Sequence, residues 1–439
     1  MGFTSKLNLK MVDFKEISEE VDNLDTNLLM DLMKNLISIN TVVPPGKSYR
    51  EYVDMISPYF QDLNYSLEEV MVPKELVQEI PHELIGPRVN LVAKRDFGQE
   101  KWVSFYGHMD VVPAPNDGVG KWQSPPFEAK ILENGEIYGR GVADMKGSMV
   151  CLIIALQIIE RLNLNPLFNI LVMNCTDEEI GVWPGVRYLA EKGYIEGAVY
   201  CMEGRINPII LSGAAGNLDI TVETIGISCH SGMNYLGVNA LEEMVPILVE
   251  LMELKKIVER RESRDISGAQ NSKTGKKRNL TPMFNLDIIR SGEKSNIVPD
   301  ICQLVINRRI IPDEKYLEVK QEIVDAIERG KKKSKAIDVK LTFNYSYPPL
   351  KIDVNGSGIK RMKKVISLVQ DVPEDQIRTM GMAGSLDMSF IAQILNTQDI
   401  IIHGVGTKDS NIHGVNEMVR LEDIKTYIKE ILTFLLIDF

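Results

Sequence analysis

Closely spaced cysteines are missing from this sequence. The five present, Cys151, Cys175, Cys201, Cys229 and Cys302, are odd in number, scattered, and form no CxxC pair. Neither a disulfide framework nor a thiolate zinc site is expected, and a reducing, cytoplasmic compartment fits. Basic charge is also in deficit: 50 Lys and Arg against 61 Asp and Glu leave a net charge of -11. That balance argues against a nucleic-acid backbone or an anionic membrane surface as the main partner. Long apolar runs are absent too. The most apolar stretch, Met149 to Ile159, is interrupted by Gln157 and followed by Glu160, well short of the roughly 20 residues that cross a bilayer. The opening MGFTSKLNLK lacks the apolar core of an export signal, and Lys6 stands where a myristoylation motif would need Ser or Thr, so neither export nor a lipid anchor is expected.

What is present is ordinary globular composition, with 44% hydrophobic and 25% charged residues over 439 positions, a length that favours two domains. Helical spacing over Leu28 to Ile37 is ended by VVPPGKS. Short β-branched or aromatic runs follow at Arg88 to Ala93, Val103 to Tyr106 and Phe168 to Asn174, with an amphipathic helix from Lys146 to Leu162. That alternation predicts an α/β sheet covered on both faces. From Asn217 to about Asn344 the order becomes strand (Leu218 to Thr224), helix (Ala240 to Glu253), strands (Met283 to Ile289 and Ile301 to Ile306), helix (Tyr316 to Glu328) and strand (Ile337 to Asn344). This β-α-β-β-α-β order is ferredoxin-like and predicts a separate lobe. Within it, the basic run Lys255 to Arg278 lacks aromatic residues for stacking bases and is read as a solvated loop. Helices at Gly358 to Val369 and Met388 to Ala392, a strand at Asp399 to Ile402 and a helix at Leu421 to Leu436 complete a catalytic domain that the lobe interrupts. The boundaries expected are 1–215 and 346–439 for the catalytic domain and 216–345 for the lobe.

Histidine is scarce, with only five in the chain. One, His108 in Tyr106-Gly107-His108-Met109-Asp110, ends an apolar strand, and Asp110 two residues on shares its face and can support the imidazole. Glycines bracket Asp144 in Gly139-Arg140-Gly141-Val142-Ala143-Asp144-Met145-Lys146-Gly147, just before a helix. No phosphate-loop pattern is present there, so Asp144 is either a helix cap or a carboxylate free to reach two cations. Three acids, Asp177, Glu178 and Glu179, follow a hydrophobic strand. Adjacent Glu178 and Glu179 point in different directions, which suits one to a metal and the other to a proton. Glu203 follows another apolar strand, and His413 lies in Asn411-Ile412-His413-Gly414. Two histidines with three carboxylates form a ligand set suited to zinc, cobalt or manganese.

Together these motifs resemble the metal-dependent amidohydrolase and peptidase family of acetylornithine deacetylase, succinyl-diaminopimelate desuccinylase, aminoacylase and glutamate carboxypeptidase. The resemblance runs from about Leu28 to the end. It implies a di-zinc exopeptidase-like catalytic domain, a mixed sheet with helices on both faces, carrying an inserted ferredoxin-like lid and dimerisation domain. It implies two divalent ions, zinc first and cobalt or manganese after it. His108 and Glu203 would hold one ion, Glu179 and His413 the other, and Asp144 would bridge them. Glu178 would be the general base and Asp110 would orient His108. In the lid, His230 of Cys229-His230-Ser231-Gly232 would help polarise the scissile carbonyl from a partner subunit. Asn296 and Arg309 match positions that hold a substrate carboxylate, a task for which the planar guanidinium fork is apt. Arg308 is the alternative, since only one of two adjacent strand residues faces inward. Gly384 lies in a loop resembling a substrate loop, although relatives often carry Arg where this chain has Ser389.

The activity so implied is hydrolysis of the amide bond of an N-acylated amino acid, with a small-molecule substrate and a homodimer formed through the lid. A metallo-carboxypeptidase or dipeptidase of the same family is the alternative enzyme. A non-catalytic two-lobed binding protein is the alternative of another class.

Overall fold

The computed structural model describes residues 12–80, 82–114, 121–181, 184–268 and 278–439. The chain divides into two compact units, one of residues 1–210, 353–378 and 391–439, the other of residues 211–352 and 379–390. The expected boundaries differ from these mainly at 379–390, which groups with the inserted unit. Its strand Arg378–Met382 joins Ile209–Ala214 and Leu350–Lys351 in a small three-stranded sheet.

The first unit is organised by a six-stranded mixed sheet. Its strands β1 (Ser66–Met71), β2 (Val89–Arg95), β3 (Trp102–His108), β4 (Asn169–Cys175) and β5 (Ala198–Cys201) are joined by Ile400–Ile402. The spatial order is β1, β2, β4, β3, β5, then Ile400–Ile402. β1, β2 and β4 pair antiparallel, whereas β4, β3, β5 and Ile400–Ile402 run parallel. Every residue of β4 is buried, so its continuous apolar run, with no polar alternation, reflects cover on both faces. One cover is the helix Lys146–Arg161, which is apolar on nearly all sides and packs against the helices Leu421–Leu436 and Thr26–Ser38. The helix Tyr49–Asp62, which the spacing did not announce and which contains Pro58, packs on β1 and β2.

The second unit carries a four-stranded antiparallel sheet in the order β8, β9, β6, β10. These are β6 (Gly216–Ile225), β8 (Met283–Ser291), β9 (Ile301–Ile310) and β10 (Asp338–Tyr347), and the short β7 (Cys229–His230) pairs apart from them with Ile297–Val298. Alternating burial along β6 and β9 turns one sheet face toward the helices Ala240–Val258 and Tyr316–Lys331, which pack on each other. The β-α-β-β-α-β order is therefore present.

The basic run is a correction in part. Lys255 to Val258 continue the helix Ala240–Val258, Arg261 bridges Glu314 (2.9 Å) and Glu322 (2.8 Å), and Ser263 and Ile266 are buried. Arg261 thus finds acids on a neighbouring segment, while Lys256, Arg260 and Arg264 face solvent. Residues 269–277 of that run lie outside the described residues.

Lys146 is fully buried at a helix start. Its ammonium donates to the carbonyl oxygens of Leu36 (3.1 Å) and Ile39 (2.8 Å), closing the C-terminal end of the helix Thr26–Ser38. Burial pulls its pKa down to about 7, with Asp110 and Glu417 opposing. Replacing Lys146 by Ala removes both hydrogen bonds and opens a cavity. The expected loss is about 2–4 kcal/mol of stability, read as a lowered urea midpoint.

Candidate active site

Three parallel strands end side by side, and the chemistry-bearing residues leave from that edge. In the register, His108 at the end of β3 faces Cys175 at the end of β4, and Tyr106 faces Cys201 at the end of β5. His108, the turn Glu178–Ile180 after β4 and Glu203 after β5 therefore emerge together at the carboxyl edge, where α/β sheets bind ligands. Asp177 turns the chain with a left-handed φ of 63° into the turn that carries Glu178 and Glu179. Asp144 does not cap the helix behind it. The cap position belongs to Met145, with no side-chain cap bond, and the Asp144 carboxylate turns into the site.

The Asp144 carboxylate lies between two imidazoles. Its Oδ1 is 3.1 Å from His108 Nε2 and its Oδ2 is 3.3 Å from His413 Nε2, while Glu179 Oε2 is 3.0 Å from His413 Nε2. Ligand atoms of His108, Asp144 and Glu179 all lie within 4.8 Å of one another, and so do carboxylate oxygens of Glu178 and Glu203. The Asp110 support of His108 takes a different form from the one expected. His108 Nδ1 meets the Asp110 main-chain oxygen at 3.1 Å, the carboxylate being 3.6 Å away. Asp110 Oδ2 instead accepts from the Glu179 backbone N–H at 2.9 Å, tying the strand end to the turn that carries Glu179.

The electrostatics follow from this packing. Burial disfavours a charged imidazole at His108, yet Asp110 and Asp144 together raise its pKa well above the usual value. Asp144 and Glu179 push the pKa of His413 up to about 10. Burial pushes Glu179 up to about 7, the His413 hydrogen bond opposing and the Asp144 charge adding to it. Asp144 is held below the ordinary carboxylate range: burial works against this, but both imidazoles outweigh it.

The residues fit a pair of divalent ions. The buried oxygens Glu179 Oε1 and Asp110 Oδ1 have no hydrogen-bond partner among the described residues. Two ligands at about 2.0–2.2 Å from a tetrahedral ion stand roughly 3.3 Å apart, the spacing found between these nitrogens and oxygens. Imidazole nitrogens mixed with carboxylates make a donor set for zinc, cobalt or manganese.

Two buried supports were not foreseen. Asp177 accepts from the Tyr49 hydroxyl (3.0 Å) and from Arg88 (3.2 Å), and Arg88 also donates to the Pro45 oxygen at 2.8 Å. Glu417 and Arg140 pair at 2.7 Å. Arg88 and Arg140 each stand beside a motif, but nothing in their spacing marks their partners.

In the second unit, β7 sets His230 beside Asn296: the Ser231 N–H donates to the Asn296 oxygen at 3.0 Å. His230 Nδ1 accepts from the Gly232 N–H at 3.0 Å, so in the neutral ring the proton sits on Nε2. Arg308 is the buried member of its pair and is occupied by Glu314 at 2.5 Å. Arg309, half-buried on the other sheet face, donates to the Ser385 hydroxyl at 2.9 Å, next to Gly384. Ser389 is buried.

Residues 104–436 match the model of peptidase family M20/M25/M40. A succinyl-diaminopimelate desuccinylase of Vesicomyosocius okutanii is 26% identical over 406 residues, covering 90% of this chain and 95% of that protein. An M20 family metallo-carboxypeptidase from Sulfolobus solfataricus shares the fold with a TM-score of 0.72 at 19% identity, over 94% of this chain and 98% of that one. A dinuclear metal-binding M20 peptidase of Bacillus subtilis does so with a TM-score of 0.62 at 12% identity, over 93% and 98%. The chain belongs to peptidase family M20/M25/M40 and is a hydrolase.

Among the described residues, Asp144 is the one carboxylate within 3.3 Å of both His108 and His413. Glu179→Ala is expected to lower bound divalent metal to roughly half the wild-type content, and Asp144→Ala to lower it further, by elemental analysis of the purified variants.

Proposed function

We propose that this protein hydrolyses the amide bond of an N-acylated amino acid, with an N-succinyl or N-acetyl amino acid as substrate. The observation that carries the reading is the Asp144 carboxylate held between His108 and His413, with Glu179 on the second imidazole. The desuccinylase aligned over nearly its whole length supports the acyl-amino-acid class.

In this reading His108, Glu203, Glu179 and His413, with Asp144 between the two imidazoles, would hold two divalent ions, zinc first among the candidates. Such ions supply Lewis acidity, which polarises an amide carbonyl and acidifies water. Glu178 takes a proton from the attacking water and passes it to the departing amine nitrogen, acting as base and then acid. Asp110, through its main-chain oxygen on His108 and its carboxylate on the Glu179 N–H, holds both ligands in place. His230 of the partner subunit would give a hydrogen bond from its Nε2–H to the carbonyl oxygen as negative charge develops there, the proton staying on the ring. Asn296 and Arg309 would receive the substrate's carboxylate, and the loop at Gly384 would contact the substrate's acyl part. The five scattered cysteines, with no CxxC pair, agree with a cytoplasmic location. No described helix is long and apolar enough to cross a membrane.

Glu178→Gln is expected to keep the wild-type metal content and lower kcat by roughly 10²–10⁴-fold. Near-normal turnover in a metal-loaded Glu178→Gln protein would assign the base elsewhere. Substrate class is read by assaying N-succinyl and N-acetyl amino acids beside dipeptides with zinc or cobalt added. Preference for dipeptides would move the assignment to a peptidase, the activity of the carboxypeptidase that shares the fold.

The second unit is also proposed to form a homodimer. Leu241, Val245, Val249 and Met252 are exposed at helical spacing along the helix Ala240–Val258. The edge strand β8 exposes Ile288 and Ile289. Two such apolar surfaces cover each other in a two-fold pair. Light scattering is expected to give twice the chain mass for wild type and the single-chain mass for a Val245→Asp, Val249→Asp double variant.

A further inference from the structure

Glu417 is a buried carboxylate with every acceptor position taken. Its Oε1 receives the backbone N–H groups of Gly141 (3.1 Å), Ala143 (2.9 Å) and Asp144 (3.1 Å). Its Oε2 receives Gly141 N (3.0 Å) and Arg140 Nη1 (2.7 Å). A carboxylate so saturated has no lone pair left for an ion or a substrate, so its influence passes through the loop it grips. That loop ends on Asp144. The other nitrogen of the Arg140 fork, Nη2, crosses to the second loop, donating to the main-chain oxygens of His413 (3.3 Å) and Gly414 (3.1 Å), and also to Pro113 (3.2 Å).

The register of the two loops is set just outside them. Strand Glu136–Tyr138 pairs antiparallel with Met418–Arg420, Tyr138 opposite Met418, and the Gly139 N–H donates to the Glu417 oxygen at 3.1 Å. One strand leads into the Asp144 loop and the other leads out of the His413 loop. The Arg140–Glu417 pair sits where they part. Backbone strain marks the same place: Gly141 has φ +91°, where a Cβ would meet Val111 at 2.9 Å, and His413 itself has φ 65°.

We propose that Arg140 and Glu417 are positioning residues that fix the separation of Asp144 and His413, and through it the geometry of the metal centre. The inference rests on the reading of that centre as a divalent-metal site. Neither residue touches an ion or the substrate. Glu417 aims the Asp144 carboxylate by fixing three of the backbone N–H groups leading to it, and Arg140 holds the His413 turn at a set distance from the same anchor. Ligands supported in this way lose about 10–100-fold in metal affinity when the support is removed.

The test loads full-length wild type, Glu417→Gln and Arg140→Lys with Co(II), following the visible d–d absorption and the binding isotherm, beside thermal unfolding of the metal-free proteins. Arg140→Lys keeps a cation for Glu417 and loses the fork that reaches His413 and Gly414, so it decides the matter even where Glu417→Gln does not fold. The expected result is a variant with near-wild-type unfolding when metal-free, an altered Co(II) spectrum and metal affinity about 10–100-fold weaker. Wild-type spectra and affinities in every variant that folds, with only the unfolding temperature lowered, would assign the pair a purely structural role and overturn the proposal. If wild type itself takes up no divalent ion, the reading of the centre falls, and the positioning proposal with it.

Discussion

The constraint on which the first unit depends is the crowding of carboxylates at one buried sheet edge. Like charges in a low-dielectric setting must each be met by a partner, or the edge does not pack. The chain answers in two ways. Asp177 and Glu417, which stand behind the site, are each given a buried arginine, Arg88 and Arg140. Asp144 and Glu179, which stand in it, are given imidazoles, and imidazoles are ligands that yield their protons to a metal. The two acids behind the edge are thus met by arginine, and Asp144 and Glu179 by imidazole.

Much of this was legible in the sequence because strand ends announce themselves. An apolar run that stops on His108, on Asp177-Glu178-Glu179 or on Glu203 says both where a strand finishes and which polar atoms are delivered there. The lobe was legible for a related reason: alternation along Leu218 to Thr224 and Ile301 to Ile306 fixes which sheet face meets the helices, and the observed strands Gly216–Ile225 and Ile301–Ile310 extend the first run at both ends and the second at its C-terminal end. The resemblance to a known family then gave roles to residues that spacing alone left open, such as His413.

What spacing could not reveal was long-range pairing. Glu417 reads as one more acid in a polar turn until Arg140, 277 positions away, is seen against it. Arg308 and Arg309 are equivalent on paper, yet only the fold decides that Arg308 is occupied by Glu314 while Arg309 meets Ser385. Scarcity of histidine was an imperfect guide, since His403 is also buried against an acid, Glu430 at 2.8 Å, as part of the core. In the basic run after Val258, composition shows how many charges the segment has, and not that Arg261 finds Glu314 and Glu322.

The parallel pairing of Ile400–Ile402 with Ala198–Cys201 has a consequence for how the protein comes into being. These partners are separated by roughly 200 residues, most of them spent on the second unit. On the ribosome the large sheet therefore waits with an open edge at β5 while the inserted unit, whose contacts are local to itself, is made and folds. His413 emerges only after that strand, so the nascent chain holds its acids together well before it has the imidazole that completes them. Unpaired strand edges are sites of mispairing, and this interval of synthesis is where the chain is most exposed to aggregation and to chaperone capture.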